Sequence, residues 1–236
     1  MAFWREASTL IFALRPCIAG SSKKLSSGLS RSTDYKILML KRSARSSFMP
    51  SKLVFPGGVV QDADHSGDWN AVFEKVLGYP LSDMNHRLPS VAGSHALLSH
   101  WTLPPAVAYR ICAIRETFEE SGLLLATNRD LLSDSVEPCV VSCSASELTK
   151  VADQRQKVEE KPEYFLQMCN ELDVVPNIWA LHDWRNWLTP VFRQVSEPPA
   201  KPKRFNTMFY VCCVDCDSIP HVSMDESETT QAEVSL

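Results

Sequence analysis

Three glutamates lie close together in one short segment of the chain: Glu116, Glu119 and Glu120. If this segment is helical, offsets of three and four residues return to the same face, so the carboxylates form one acidic cluster. Clustered like charges repel unless a cation lies among them, and ligand sets made only of oxygen favour Mg2+ or Mn2+ over zinc. A solvated helix face is the more frequent explanation of clustered glutamates. The surrounding sequence therefore has to decide between a cation site and a solvated face.

The segment that carries the cluster has the pattern of a helix packed against a sheet. Pro105 suits the first turn of a helix, and Gly122 suits a left-handed stop at its end. An apolar stripe follows the spacing of a buried helix face and consists of Val107, Ile111, Ile114 and Phe118. The pattern therefore predicts a helix whose stripe faces the core and whose carboxylates point outward. Arg115 could hold one carboxylate through a bidentate bond.

Other apolar runs predict the elements that position this helix. Strands are predicted at residues 9–14, 35–41, 123–126 and 207–214. Two scaffold helices are predicted, one from a capping box at residues 144–147 to about residue 160, the other over residues 162–172. Residues 64–103 contain several glycines and prolines and no sustained period, which predicts an irregular insertion.

Composition limits the classes of protein to which the chain can belong. With 236 residues and 44% apolar content, it has the mass for one globular domain with a sizeable core. The net charge is -4 and the basic residues are scattered, so nucleic acid is not an expected partner. No apolar run is long enough to span a bilayer, so a membrane is not expected either. The eight cysteines have irregular spacing, which fits a reducing compartment. Residues 216–236 are acidic, which predicts a solvated, disordered tail.

The segment from Arg115 to Leu123 resembles the distal half of the Nudix box, R-E-U-x-E-E-x-G-U, where U is aliphatic. Every charged position matches, and Thr117 stands at one aliphatic position. The proximal half of that box begins G-x5-E, and Gly58 and Asp64 resemble it at the right spacing, with Asp in place of Glu, after a Phe-Pro-Gly-Gly sequence. The two halves are separated by an insertion inside the motif.

The resemblance implies a Nudix-type α/β/α sandwich with a mixed sheet in residues 1–215, in which about residues 65–104 form the insertion. It also implies hydrolysis of a diphosphate bond with Mg2+ or Mn2+, in which the cation neutralises phosphate charge and activates water. The implied metal ligands are Glu116, Glu120 and Glu119, and the implied catalytic residues are Glu119, Glu120 and Arg115. Which carboxylate accepts the proton stays open. Backbone N–H groups of Gly57 and Gly58 could hold a phosphate, although two glycines alone predict only a turn.

A box split in this way is similar to that of one Nudix branch, the coenzyme A diphosphatases of peroxisomes, over most of the chain. This likeness implies cleavage of coenzyme A or acyl-coenzyme A to 3',5'-ADP and (acyl-)4'-phosphopantetheine. Coenzyme A-directed Nudix enzymes carry a pattern upstream of Phe-Pro-Gly-Gly in which Arg42 is placed as expected. Ser47 and Ser51 replace its inner Arg and Gly, and Arg45 is the nearest other cation. Arg42 and Arg45 are therefore either substrate-binding residues or part of a solvated loop.

Several alternatives stay open at the level of sequence. The substrate could instead be ADP-ribose, a nucleotide sugar or a capped RNA end. The chain stops about where a further strand and helix of a Nudix fold are expected, so a truncated, inactive binding module is another hypothesis. Its last residues lack the basic middle position of an S-K-L type signal, which leaves a cytosolic or mitochondrial location open beside the peroxisome. Oligomeric state is not predicted.

Two groups of aromatic residues have more than one interpretation. In the insertion, Trp69, Phe73, Leu77, Leu97 and Trp101 could cover the pantetheine or acyl arm of the substrate, or pack a small core of their own. Trp179, Trp184 and Trp187 are predicted as core residues in preference to a platform for base stacking.

Overall fold

The structure is a computed structural model of the chain. It describes residues 4–16, 35–44, 50–81, 88, 101–128, 145–189, 204–216 and 229–235. Arg45 and Leu97, both named by the sequence patterns, lie outside this set. In the described parts of the chain, no helix combines the length and apolar character needed to cross a membrane.

One mixed sheet contains seven of the described strands. They are β1 (Arg5–Pro16), β2 (Lys36–Arg42), β3 (Leu53–Val54), β4 (Gly57–Val59), β7 (His182–Leu188), β8 (Phe205–Cys216) and β9 (Thr229–Ser235). The order is β3-β2-β1-β8-β7, with β4 paired to β1 and β9 paired to β2. β1 and β8 run parallel along their whole length, while the other pairs are antiparallel. The fold is therefore mixed α/β, as predicted.

Four helices and a small second sheet complete the described elements. The helices are α1 (Asp68–Leu77), α2 (Pro105–Ser121), α3 (Ala145–Glu160) and α4 (Glu163–Glu171). The small sheet pairs β5 (Ala126–Thr127) with β6 (Val175–Pro176). The strand predicted at residues 123–126 thus begins three residues later and ends one residue later, whereas both scaffold helices end within one residue of the predicted ends.

Helix α2 has the bounds that its sequence predicts. Pro105 opens it, and Gly122 ends it in the left-handed conformation, at φ 75°, with its N–H donated to the Phe118 carbonyl at 2.8 Å. A side chain rarely adopts this conformation, which explains the glycine. The four residues of the predicted apolar stripe are completely buried. The apolar period therefore predicted both the helix and the face that packs.

The core lies on one face of the sheet. Alternate residues of β1 and β8 point to this face and are buried: Leu10, Phe12, Leu14, Met208, Tyr210, Cys212 and Val214. They form a single apolar cluster with residues of α1, α2, α3 and α4. The intervening positions on the other face, such as Ile11, Phe209 and Val211, are only partly buried. We call this second side the outer face.

The insertion contains a regular helix, so the prediction of an irregular segment is wrong for α1. Trp69, Phe73 and Leu77 are at most 1% exposed and belong to the main core, where Phe73 contacts Trp179 edge to face. Gly78 ends the helix in the left-handed conformation. The glycines and prolines around this helix obscured a short apolar stripe that packs only because the rest of the core is present. These residues therefore neither cover a ligand nor form a separate core.

The structure also differs from the sequence at the acidic end of the chain. Residues Thr229–Ser235 form β9, which pairs antiparallel with β2, whereas a solvated tail was predicted from residue 216 onward. The sequence argument weighed charge and overlooked the β-prone Thr and Val residues of this segment. Backbone hydrogen bonding along β2 is the physical reason that an otherwise polar segment can be ordered.

Candidate active site

Glu116 and Glu120 lie against the same two glycines. The Gly57 N–H donates to Glu120 Oε2 at 2.9 Å. A Cβ atom at Gly58 would lie only 2.4 Å from Glu116 Oε2, so the absence of a side chain is what lets this carboxylate approach β4. Both carboxylates, one helical turn apart on α2, therefore converge on one dipeptide of the sheet.

Arg115 joins the two separated halves of the motif. Its Nε and Nη2 donate to the two oxygens of Asp64, at 2.7 and 2.8 Å, so the bidentate bond expected with one of the clustered glutamates is made with Asp64 instead. Its Nη1 contacts Glu119 at 2.7 Å and Glu116 at 3.0 Å. Arg115 and Asp64 are each 1% exposed. Arg115 is thus held inside the protein, where it positions carboxylates, and its predicted catalytic role stays a prediction.

The ends of the insertion lie side by side, so the interrupted motif is continuous in space. Asp64 also accepts the Gln61 N–H at 2.8 Å, in the turn that precedes the insertion. On the other side, the Leu103 N–H donates to the His65 carbonyl at 3.3 Å, and the rings of His65 and Trp101 stack at 5.0 Å. The proximal and distal halves of the box therefore meet although many residues separate them in sequence.

The carboxylates are less exposed than the prediction of an outward-facing cluster implies. The side chains of Glu116 and Glu119 are 13% and 12% exposed, and Glu120 is 6% exposed. Burial raises the pKa of Glu119 to about 8, although Arg115 opposes this shift. A cation bound among these groups would favour their charged form. Arg115 therefore offsets only part of the electrostatic cost of the cluster, and a bound cation would offset more.

The donor set fits a hard divalent cation. Within the described ranges, no three His, Cys, Asp or Glu side chains are close enough to form a ready-made metal cage. Mg2+ does not require one, because it is usually held by one or two carboxylates, waters and substrate phosphates. Glu116 and Glu120, which meet at Gly57–Gly58, provide that number of ligands. Glu119 lies one turn after Arg115 and is bonded to it.

Gly57 and Gly58 lie at the site, and their role in holding a phosphate stays a prediction. The Gly57 N–H, expected to bind phosphate, is bonded to Glu120. Arg42 lies at the end of β2, where its backbone N–H donates to the Lys52 carbonyl at 2.9 Å. Its role in substrate binding stays a prediction.

Two further arginines hold α2, and sequence reasoning did not identify them. Arg155 of α3 is 6% exposed and donates from Nε to the Glu119 carbonyl at 2.6 Å, in the last turn of α2. Arg110 is completely buried, bonds Asp183 of β7 at 2.5 Å and lies 4.7 Å above the Tyr210 ring. The apolar neighbours of Arg110 in α2 were a signal for burial. Arg155 left no such signal, because its partner is a distant carbonyl group.

Comparisons with known proteins agree with this geometry. Residues 4–235 match the family model described as the NUDT19 Nudix domain. A crystal structure of a NUDIX hydrolase from Alicyclobacillus acidocaldarius superposes with a TM-score of 0.58 at 19% identity, covering 98% of this chain and 78% of that one. At this identity the match supports the fold alone.

Curated relatives share a substantial part of the sequence. The acyl-coenzyme A diphosphatase NUDT19 of Xenopus laevis is 38% identical over 242 residues, that of Gallus gallus 39% over 234, and that of Homo sapiens 36% over 224. These alignments cover 98%, 95% and 89% of this chain. The chain spans 61%, 59% and 56% of the length of these relatives. Because the family model matches nearly the whole chain, the chain belongs to the NUDT19 Nudix domain family.

Proposed function

We propose that the chain hydrolyses the diphosphate bond of coenzyme A or acyl-coenzyme A, releasing 3',5'-ADP and (acyl-)4'-phosphopantetheine, with Mg2+ or Mn2+. The observation that carries this proposal is the convergence of Glu116 and Glu120 on Gly57–Gly58. The name that the relatives carry, acyl-coenzyme A diphosphatase, supports the choice of substrate.

Each residue of the site has a defined part in this proposal. Glu116 and Glu120 hold the cation, which would neutralise charge on the two linked phosphoryl groups. Arg115 and Asp64 fix the turn of α2 from which these carboxylates extend. Gly57 fixes the orientation of Glu120 through its N–H group. One of the three glutamates, Glu116, Glu119 or Glu120, accepts the proton of the attacking water.

The test is incubation of the purified chain with coenzyme A and Mg2+, with identification of the products. Glu116→Gln and Glu120→Gln should each lower kcat by about a hundredfold, because each removes a charged ligand. Glu171→Gln is the matched control, since this glutamate is exposed on α4, remote in sequence from the box. Cleavage that survives both substitutions at the site would refute the assignment.

The same assay separates the substrate hypotheses. ADP-ribose, a nucleotide sugar and a capped RNA are to be offered in parallel with coenzyme A and an acyl-coenzyme A. We expect the highest kcat/KM for the coenzyme A compounds, and a higher value for any of the others would change the substrate and leave the hydrolytic site intact. A peroxisomal location, implied by the likeness to that branch, is part of the proposal and is tested by microscopy of the tagged protein.

A further inference from the structure

The outer face of the sheet carries an exposed aromatic group at its β7 edge. Trp187 is 58% exposed, and its ring lies 5.8 Å from that of Phe209 on the neighbouring strand. Arg185 is exposed and pairs with Phe209 in the strand register, so Arg185 and Trp187 point to the same side of β7 as Phe209. We call these three side chains the β7–β8 platform. The prediction that Trp187 is a core residue is wrong, and the same holds for Trp184, which is 65% exposed.

The strand register connects this platform to the carboxylate site. Arg185 pairs with Phe209, Phe209 with Thr9, and Thr9 with Gly57, so the four residues form one row across the sheet. Three strand spacings separate the ends of this row, or about 14 Å. The row thus extends from the site that would hold a diphosphate to an exposed cation beside two aromatic rings.

The row reaches the carboxylates at β4, which forms an edge of the sheet in the described part of the chain. On the α2 side, the Gly57 N–H holds Glu120. On the other side, a Cβ atom at Gly57 would lie 2.6 Å from Thr9 Oγ1, so the threonine hydroxyl rests directly against this glycine. Because β4 pairs with β1 alone among the described strands, a ligand held at the carboxylates can pass around the unpaired edge of β4 onto the outer face beside Thr9.

We propose that the β7–β8 platform binds the 3'-phosphoadenosine half of the substrate, an inference that rests on the proposed function. Trp187 and Phe209 stack against the purine, since base–aromatic stacking needs only an exposed ring face. Arg185 binds the 3'-phosphate through its planar guanidinium group. Arg185 has no ion-pair partner among the residues that the structure describes, so its charge is available to a ligand.

The experiment uses 3',5'-ADP, which contains no diphosphate bond and cannot be cleaved at the site. Binding to the full chain is measured by calorimetry in the presence of a chelator. Trp187→Leu should weaken binding by about tenfold. Arg185→Ala should weaken binding of 3',5'-ADP and leave that of 5'-AMP unchanged, because only the former carries the 3'-phosphate. Leu188→Ala is the control: Leu188 is 57% exposed but pairs with Asn206 and so points to the opposite face.

The outcomes of this experiment distinguish the two proposals. Undetectable binding of 3',5'-ADP to the wild-type chain, or equal binding to Trp187→Leu, overturns the platform. In the cleavage assay, Trp187→Leu should raise KM for coenzyme A with little change in kcat, and an unchanged KM also overturns it. If the platform binds 3',5'-ADP as described but coenzyme A is not cleaved, the proposed function fails and the platform stands. Equal thermal melting of the variants excludes loss of folding as the cause.

Discussion

Helix α2 buries charged side chains, whereas strand β7 exposes aromatic ones, which is the reverse of what their polarity suggests. In α2, Arg110 and Arg115 are 0% and 1% exposed, whereas in β7, Trp184 and Trp187 are 65% and 58% exposed. The arginines are buried because carboxylates and carbonyl groups satisfy their donors. The tryptophans are exposed because β7 ends the strand order and the described helices pack mainly on the other face. Burial in this protein thus depends on which partners an element meets.

The largest effect should come from removing a charged partner of α2. Arg115→Met leaves Asp64 buried without its cation, so we expect a loss of about 4 kcal/mol in the free energy of unfolding, measured by urea denaturation. Lys75→Met is the control, because its pair with Asp173 is 53% and 72% exposed and should contribute less than about 1 kcal/mol. If both substitutions lowered the free energy of unfolding equally, the distinction between buried and exposed charges would be wrong.

The next largest effect concerns the insertion, whose helix α1 packs into the same core as α2. Phe73→Ala removes a ring that is completely buried between Trp69 and Trp179. We expect it to lower the free energy of unfolding by about 3 kcal/mol. If the insertion were a separate lid, melting of the main domain would be unchanged, and calorimetry would show this directly.

Gly57 and Gly58, where α2 meets the sheet, should respond differently to substitution by alanine. A Cβ at Gly57 would lie 2.4 Å from the Ser8 carbonyl oxygen, part of the backbone, and the residue has φ 155°. Gly57→Ala should therefore cost about 2 kcal/mol of stability. At Gly58 the nearest atoms belong to the Glu116 carboxylate, which can move. Gly58→Ala should keep its melting temperature and lose Mg2+-dependent activity; the reverse pattern would contradict the geometry.

The smallest effect is expected at the exposed edge. Trp184→Ala should change the free energy of unfolding by no more than about 0.5 kcal/mol, because the side chain is mostly exposed. Chemical denaturation of Trp184→Ala and Phe73→Ala, measured in parallel, compares an exposed with a buried aromatic residue. A destabilisation of several kcal/mol would mean that Trp184 is packed, and that β7 is not an open edge.

What the sequence could predict follows from local pattern. The apolar period, Pro105 and Gly122 were sufficient for α2, and the spacing of the two half motifs identified the residues that meet at the site. Such patterns do not predict contacts between residues that are distant in sequence. Arg155 contacts a carbonyl group on another helix, and the environment of Trp187 depends on the strand order. The helix in the insertion was missed because its apolar stripe is short and flanked by turn residues.

The central claim is that Glu116 and Glu120 together hold a divalent cation beside Gly57–Gly58. Titration of the chain with Mn2+, followed by electron paramagnetic resonance without any substrate, tests it most directly. The account predicts that a Glu116→Gln, Glu120→Gln double variant binds Mn2+ about a hundredfold more weakly than the wild type, with Glu171→Gln unchanged. Equal Mn2+ affinity in the double variant and the wild type would contradict it.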